Sequence, residues 1–178
     1  VSEKETKKSL MIEVPVPERP AGQKDVVNLV TPKLDTVRVG FIGLGMRGPG
    51  AVERFLHIPG TKVVALCDIR PEQVEKCQGI LKKAGVLEAV GYSGSEDAWK
   101  RDDINLVYIA TDWLHHAPMA LYAMEHGKHV AIEVPAAMNM EEIWALINMA
   151  EKKQLHCMML ENCVYDFFEL TTLNMAQQ

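Results

Sequence analysis

The stretch Val37-Arg38-Val39-Gly40-Phe41-Ile42-Gly43-Leu44-Gly45-Met46-Arg47-Gly48 decides the fold of this chain. Its first six residues read as a buried strand, and Gly43, Gly45 and Gly48 follow at once in the spacing GxGxxG, opening a helix. Gly43 permits the tight turn, Gly45 lets backbone approach a pyrophosphate, and Gly48 lets helix and strand pack closely. The free N–H groups of the helix start then offer a seat for phosphate. A second apolar run, Lys62 to Cys67, ends at Asp68, twenty residues past Gly48. An acid there accepts hydrogen bonds from the adenosine ribose and repels the additional phosphate of NADP, so the pair of motifs predicts NAD. Arg70, which could instead pair with that phosphate, leaves NADP as the alternative; a solvated residue at a helix start is its plainer reading.

Working outward, short apolar runs alternate with helical stretches, the pattern of β-α-β units around a parallel sheet. The expected strands are Val37–Ile42, Lys62–Cys67, Ala89–Tyr92, Leu106–Ala110, His129–Ile132 and Cys157–Leu160. Helices are expected over Arg47–His57, Pro71–Ala84, Glu96–Arg101, Pro118–His126, Glu141–Lys153 and Asp166–Gln178, with Pro71 and Pro118 in first turns and Gly60, Gly85 and Gly127 at exits. The fold class is α/β, a Rossmann-type doubly wound parallel sheet over 37–165. Four of the nine prolines, Pro15, Pro17, Pro20 and Pro32, precede Val37, so 1–36 reads as an extended arm. The last helical stretch, 166–178, has no capping glycine or proline, and a longer protein is expected to continue beyond it.

Bulk properties narrow the function. The chain has 178 residues, 48% hydrophobic and 24% charged, which suits one globular domain with a real core. A net charge of -5 with scattered basic residues argues against nucleic acid or an anionic membrane as partner. No run of eighteen uncharged apolar residues occurs, so neither a membrane span nor a signal peptide is expected in this chain. The expected partner is a small molecule. Cys67, Cys77, Cys157 and Cys163 show no CxxC pair and read as ordinary buried thiols. His156, Cys157 and Cys163 lie on or beside one apolar run, where alternation turns neighbours apart, and no metal site is expected.

Two further loops sit at carboxyl ends of strands, the edge where open α/β sheets bind ligands: Thr111-Asp112-Trp113-Leu114-His115-His116, and Glu133-Val134-Pro135. Both are expected to face the nicotinamide half. His115 and His116 read either as helix-start residues or as proton carriers. Glu133, after a buried strand, needs a partner that a cofactor hydroxyl or amide would supply.

The segments GFIGLGMRGPG, ALCDI, TDWLHH, EVPAAM and HCMMLENCVYDFFELTTLNMAQQ resemble the Gfo/Idh/MocA superfamily, and within it the NAD-dependent alpha-N-acetylgalactosaminidases of glycoside hydrolase family 109, from about Thr31 to Gln178. Most superfamily dehydrogenases carry Glu-Lys-Pro after the fifth strand; Val134 replaces that lysine here, as in the glycosidase branch. The resemblance implies a tightly held NAD that is not consumed, and exo-hydrolysis of GalNAc-terminated glycans. It implies NAD contacts at Met46, Arg47, Asp68, Trp113, Leu114, His115, His116, Glu133, Val134 and Asn162, and a sugar-binding C-terminal α/β domain, mostly β-sheet, absent from this chain. Tyr165 and His116 are the acid or base candidates, with a core tyrosine as the plainer reading of Tyr165. An NAD-dependent sugar dehydrogenase is the alternative activity, and a non-catalytic dinucleotide-binding or oligomerisation module the alternative of another class. The family analogy points to the periplasm or exterior and leaves a cytoplasmic location and a homo-oligomer open.

Overall fold

The computed structural model describes residues 16–86, 89–94, 100–164 and 166–177. Six strands, β1 (Val37–Ile42), β2 (Thr61–Cys67), β3 (Val90–Tyr92), β4 (Leu106–Ile109), β5 (His129–Glu133) and β6 (Cys157–Leu160), form one sheet in the order β3-β2-β1-β4-β5-β6. Every neighbouring pair is parallel. The order reverses between β1 and β4, and the carboxyl ends of those strands bound the crevice where a doubly wound sheet binds its ligand.

Helices α1 (Gly48–Phe55) and α2 (Pro71–Lys83) cover one face, α3 (Trp113–Glu125) and α4 (Met140–Lys153) the other, and α5 (Phe167–Gln177) closes the chain. Side chains alternate across the strands, so each run feeds two cores. Val39, Phe41, Leu66, Tyr108 and Ala131 pack against Ala51, Val52, Val74, Cys77 and Leu81 from α1 and α2. Ile42, Val107, Ile109, Val130 and Ile132 pack against Ala117, Ala120, Ala123, Met124, Leu146 and Ala150 from α3 and α4. Burial on both faces is why these strands read as continuous apolar runs.

Three sequence expectations change. Pro118 does not open its helix: α3 begins at Trp113 and holds Pro118 inside. The Asp112 carboxylate accepts the Leu114 N–H at 3.1 Å and starts the helix five residues earlier, outweighing the one ladder bond that proline cannot donate. Cys163 is exposed, in the turn after β6, and Cys157 is half-buried; Cys67 and Cys77 alone are buried as expected. Most of the expected helix Glu96–Arg101 falls on residues outside those described, and Arg101, which is described, is not helical. Its guanidinium pairs with Asp103 at 2.6 Å. Tyr165 also lies outside the described residues.

The described part of the arm, 16–36, carries no helix or strand. It is fastened to α4: the Arg19 Nε donates to both Glu151 oxygens at 3.0 and 2.9 Å, and the Gln23 Nε2 to Glu151 at 2.8 Å. These bonds hold the Glu151 carboxyl below its usual range, Arg19 contributing most.

Candidate dinucleotide site

A cavity of about 1160 Å³ opens along the carboxyl edge of the sheet, walled by the exits of β1, β2, β4, β5 and β6. That exceeds the roughly 300–1,000 Å³ of an ordinary small-molecule pocket and suits an extended ligand. Gly43, Gly45, Met46, Arg47, Asp68, Thr111, Trp113, His115, His116, Glu133, Val134 and Asn162 all line it. Gly48 and Leu114 do not line it; Gly48 is buried beneath the loop and Leu114 points to solvent, 70% exposed.

The phosphate loop shows why its glycines are glycines. Gly43 has φ +85°, and a Cβ there would collide with the Ala110 carbonyl at the end of β4. A Cβ at Gly48 would press on the Gly43 carbonyl oxygen, so helix and turn could not close on each other. Arg47 begins α1 without any side chain capping the first turn, which leaves its amides for an anion. This cradle, closed to side chains and rich in free amides, fits a diphosphate.

Asp68 is the best-anchored charge on the wall. Its Oδ2 accepts the Leu44 N–H at 2.7 Å and its Oδ1 the Arg70 N–H at 2.9 Å, so the carboxylate is bolted to the phosphate loop as well as to β2. The Arg70 Nε lies 3.6 Å away, and the same side chain reaches over Gly45. Beside it Ile69, 83% exposed, offers an apolar surface for a flat base.

At the other end, the Tyr108 hydroxyl donates to Glu133 Oε1 at 2.6 Å. The phenol is pushed well above its usual pKa, first by burial and then by this bond to the carboxylate. Glu133 lines the cavity as expected of a cofactor contact, and its Oε1 also meets Tyr108 across the β4–β5 pair, a partner that no local pattern could reveal. His116 is 1% exposed, with Nδ1 2.7 Å from the Pro135 carbonyl and Nε2 3.2 Å from the Thr111 carbonyl. It ties α3 to the exits of β4 and β5. His115 is different: its Nδ1 lies 2.8 and 2.7 Å from the two Asp112 oxygens, and the side chain is 59% exposed on the cavity. Asp112 is held below the usual carboxylate range, chiefly by that bond.

Among the described residues, one group could gather around a metal ion, the exposed Cys163, Asp166 and Glu169, which lies after β6 and includes neither His156 nor Cys157. Burial pushes the Cys157 thiol up to about 11. No helix of the described residues is long and apolar enough to cross a membrane.

A six-stranded parallel sheet with a glycine cradle, an anchored acid at the end of β2 and a cavity at the switch point defines a dinucleotide-binding Rossmann domain. The Gfo/Idh/MocA family model, described as oxidoreductase family, NAD-binding Rossmann fold, matches residues 37–161, and the chain belongs to that family. It is 77% identical over 171 residues to glycosyl hydrolase family 109 protein 1 of Bacteroides fragilis (strain YCH46), covering 94% of this chain and 37% of that protein. Against the glycosyl hydrolase family 109 protein of Porphyromonas gingivalis (strain ATCC BAA-308 / W83) the identity is 69%, over 94% of this chain and 36% of the relative. The chain therefore spans little more than a third of these relatives. Among solved structures, an oxidoreductase from Klebsiella pneumoniae superposes with TM-score 0.69 at 26% identity, over 82% of this chain and 40% of that one. The WlbA dehydrogenase of Chromobacterium violaceum, in complex with NADH and UDP-GlcNAcA, shares the fold with TM-score 0.71 at 21% identity, over 84% of this chain and 42% of that one.

Proposed function

We propose that this chain is the NAD-binding part of a glycosidase of family 109 type, which removes terminal N-acetylgalactosamine from glycans. The observation that carries the reading is the wall beside Glu133: Val134, 40% exposed and lining the cavity, stands where the dehydrogenases it resembles place a lysine. The 77% identity to a family 109 relative supports the same branch.

Bound NAD supplies a reversible two-electron oxidation of the sugar. With C3 a ketone, the C2 proton turns acidic and the C1 leaving group departs by elimination. Water then adds at C1 and the ketone is reduced back, so a flanking carboxylate pair is not required. In this reading Met46, Arg47 and the first amides of α1 hold the diphosphate, and Asp68 grips the adenosine ribose. Glu133, with Oε1 on Tyr108, offers Oε2 to the nicotinamide half; Thr111, Trp113, Val134 and Asn162 complete that wall, and His116 braces it. Action in the periplasm or outside the cell belongs to the same proposal, by analogy alone.

The test uses the full-length protein. Release of nitrophenol from a nitrophenyl α-GalNAc glycoside without net NADH supports the glycosidase. Steady NADH growth with a free sugar overturns it in favour of a sugar dehydrogenase, and activity that survives removal of NAD makes the domain a non-catalytic module.

A further inference from the structure

We propose that His115 is the base that takes the hydroxyl proton when the sugar is oxidised, with Asp112 as the residue that positions it; this rests on the functional reading above. Among the charged and titratable side chains of the cavity, most are already committed. Both oxygens of Asp68 sit on main-chain amides, both nitrogens of His116 on carbonyls, Glu133 Oε1 on the Tyr108 hydroxyl, and Glu161 Oε1 takes the Cys163 N–H at 3.4 Å. Arg47 and Arg70 present guanidinium groups, which donate hydrogen bonds and accept none.

His115 stands apart. An ionised carboxylate accepts but does not donate, so the two short contacts to Asp112 put a proton on Nδ1, and in the neutral ring Nε2 is then the lone-pair nitrogen. That nitrogen bonds to no described residue, and the ring lines the cavity with Thr111, Val134 and Asn162 at the exits of β4, β5 and β6. Capping α3 occupies only Oδ1 with the Leu114 N–H, so the contact from both oxygens to the ring exceeds what the cap needs. A carboxylate that fixes the tautomer of an exposed imidazole is the arrangement that makes histidine a directed base.

The step balances. As a sugar hydroxyl is oxidised, its O–H proton passes to Nε2 of His115, its C–H hydrogen leaves with both electrons to the nicotinamide, and the C–O bond becomes C=O. The reduction that closes the cycle returns both, so the imidazole ends as it began.

The experiment compares the full-length protein with His115→Gln and Asp112→Ser. Serine still caps the helix but is too short to hold the ring. In long-range ¹H–¹⁵N spectra of histidine-labelled protein, the parent is expected to show His115 protonated on Nδ1, and Asp112→Ser to lose that preference. In a single turnover with the nitrophenyl glycoside at saturating NAD, His115→Gln should form reduced nicotinamide about 100-fold more slowly, the usual scale of a lost general base. A parent ring protonated on Nε2, or a His115→Gln rate within about 3-fold of the parent, overturns the proposal. A parent that binds NAD yet never reduces it with the glycoside overturns the functional reading and this inference with it, whereas a parent active without His115 overturns the inference alone.

Discussion

Replacing Asp68 by Asn separates the structural from the binding role of the acid. The carboxylate accepts two main-chain N–H groups, from Leu44 at 2.7 Å and Arg70 at 2.9 Å, and Leu44 is 0% exposed. An asparagine has one acceptor oxygen, so its NH₂ must face one of the two amides, donor against donor. The lost bond to a charged acceptor and the donor left without a partner together cost about 3 kcal/mol. For a folding unit of this chain's size that lowers the midpoint of the domain's own unfolding transition by roughly 6–12 °C. Binding changes on a separate axis: a neutral amide holds the ribose hydroxyls more weakly, by about 1.4 kcal/mol, or tenfold in Kd for NAD. Loss of the negative charge also relieves repulsion of the 2′-phosphate, with Arg70 at hand to receive it, so preference for NAD over NADP should fall by at least about tenfold. Thermal unfolding of the cofactor-free full-length protein reads the first effect, and calorimetric titration with each cofactor the second. An Asp68→Asn protein melting within about 2 °C of the parent, with unchanged discrimination, would refute the geometry from which both numbers are worked.

Gly48→Ala pushes a methyl group onto the Gly43 carbonyl and should cost about 1–3 kcal/mol with loss of NAD binding, whereas Gly50→Ala meets only the tip of Arg54 at 3.4 Å and should raise stability by about 0.5–1 kcal/mol; melting curves of the pair check the contrast. Tyr108→Phe keeps the stack on Phe41 but removes the hydroxyl from Glu133, and calorimetry should show NAD binding weakened about fivefold, with the same change absent in a Glu133→Ala background. His129 is held below its usual 6.5 by burial and then by His156, so the unfolded chain takes up the proton first. That group's stability is therefore complete above pH 6.5 and declines as pH falls through it. His129→Asn, which keeps an acceptor for the His156 N–H, should flatten the fall in urea midpoint between about pH 7.5 and 5.5.

How much of the fold was legible follows from how each element is stabilised. Strands β1, β2, β4 and β5 stand out because both faces of a central parallel strand are covered, so apolar residues dominate them. β3 pairs with β2 alone and only its three residues Val90–Tyr92 join the sheet, so Ala89 fell outside it. The start of α3 was misread because Pro118 is a strong helix-start signal taken alone, while the Asp112 cap that overrides it needs its side chain turned back onto Leu114. Aspartate followed three residues later by a polar side chain at Asp112–His115 was the local sign that could have located it.

The site divides along the same line. Gly43, Gly48 and Asp68 are legible because what holds them belongs to the backbone: a positive φ, a close approach of helix to turn, a carboxylate at a strand end of fixed register. The Tyr108–Glu133 pair joins residues 25 apart through the parallel register of β4 on β5, and the His116–Pro135 pair residues 19 apart through the packing of α3 against the exit of β5. A neighbour on the next strand is set by pairing rather than by spacing, and a sequence displays spacing alone. The same reasoning explains why His115 and His116, adjacent in the chain and indistinguishable as letters, part company in space. On a helix, consecutive side chains diverge by about 100°. His116, turned toward the sheet, is a brace locked between carbonyls, and the residue before it, turned toward the crevice and gripped by the helix cap Asp112, keeps a nitrogen free to work.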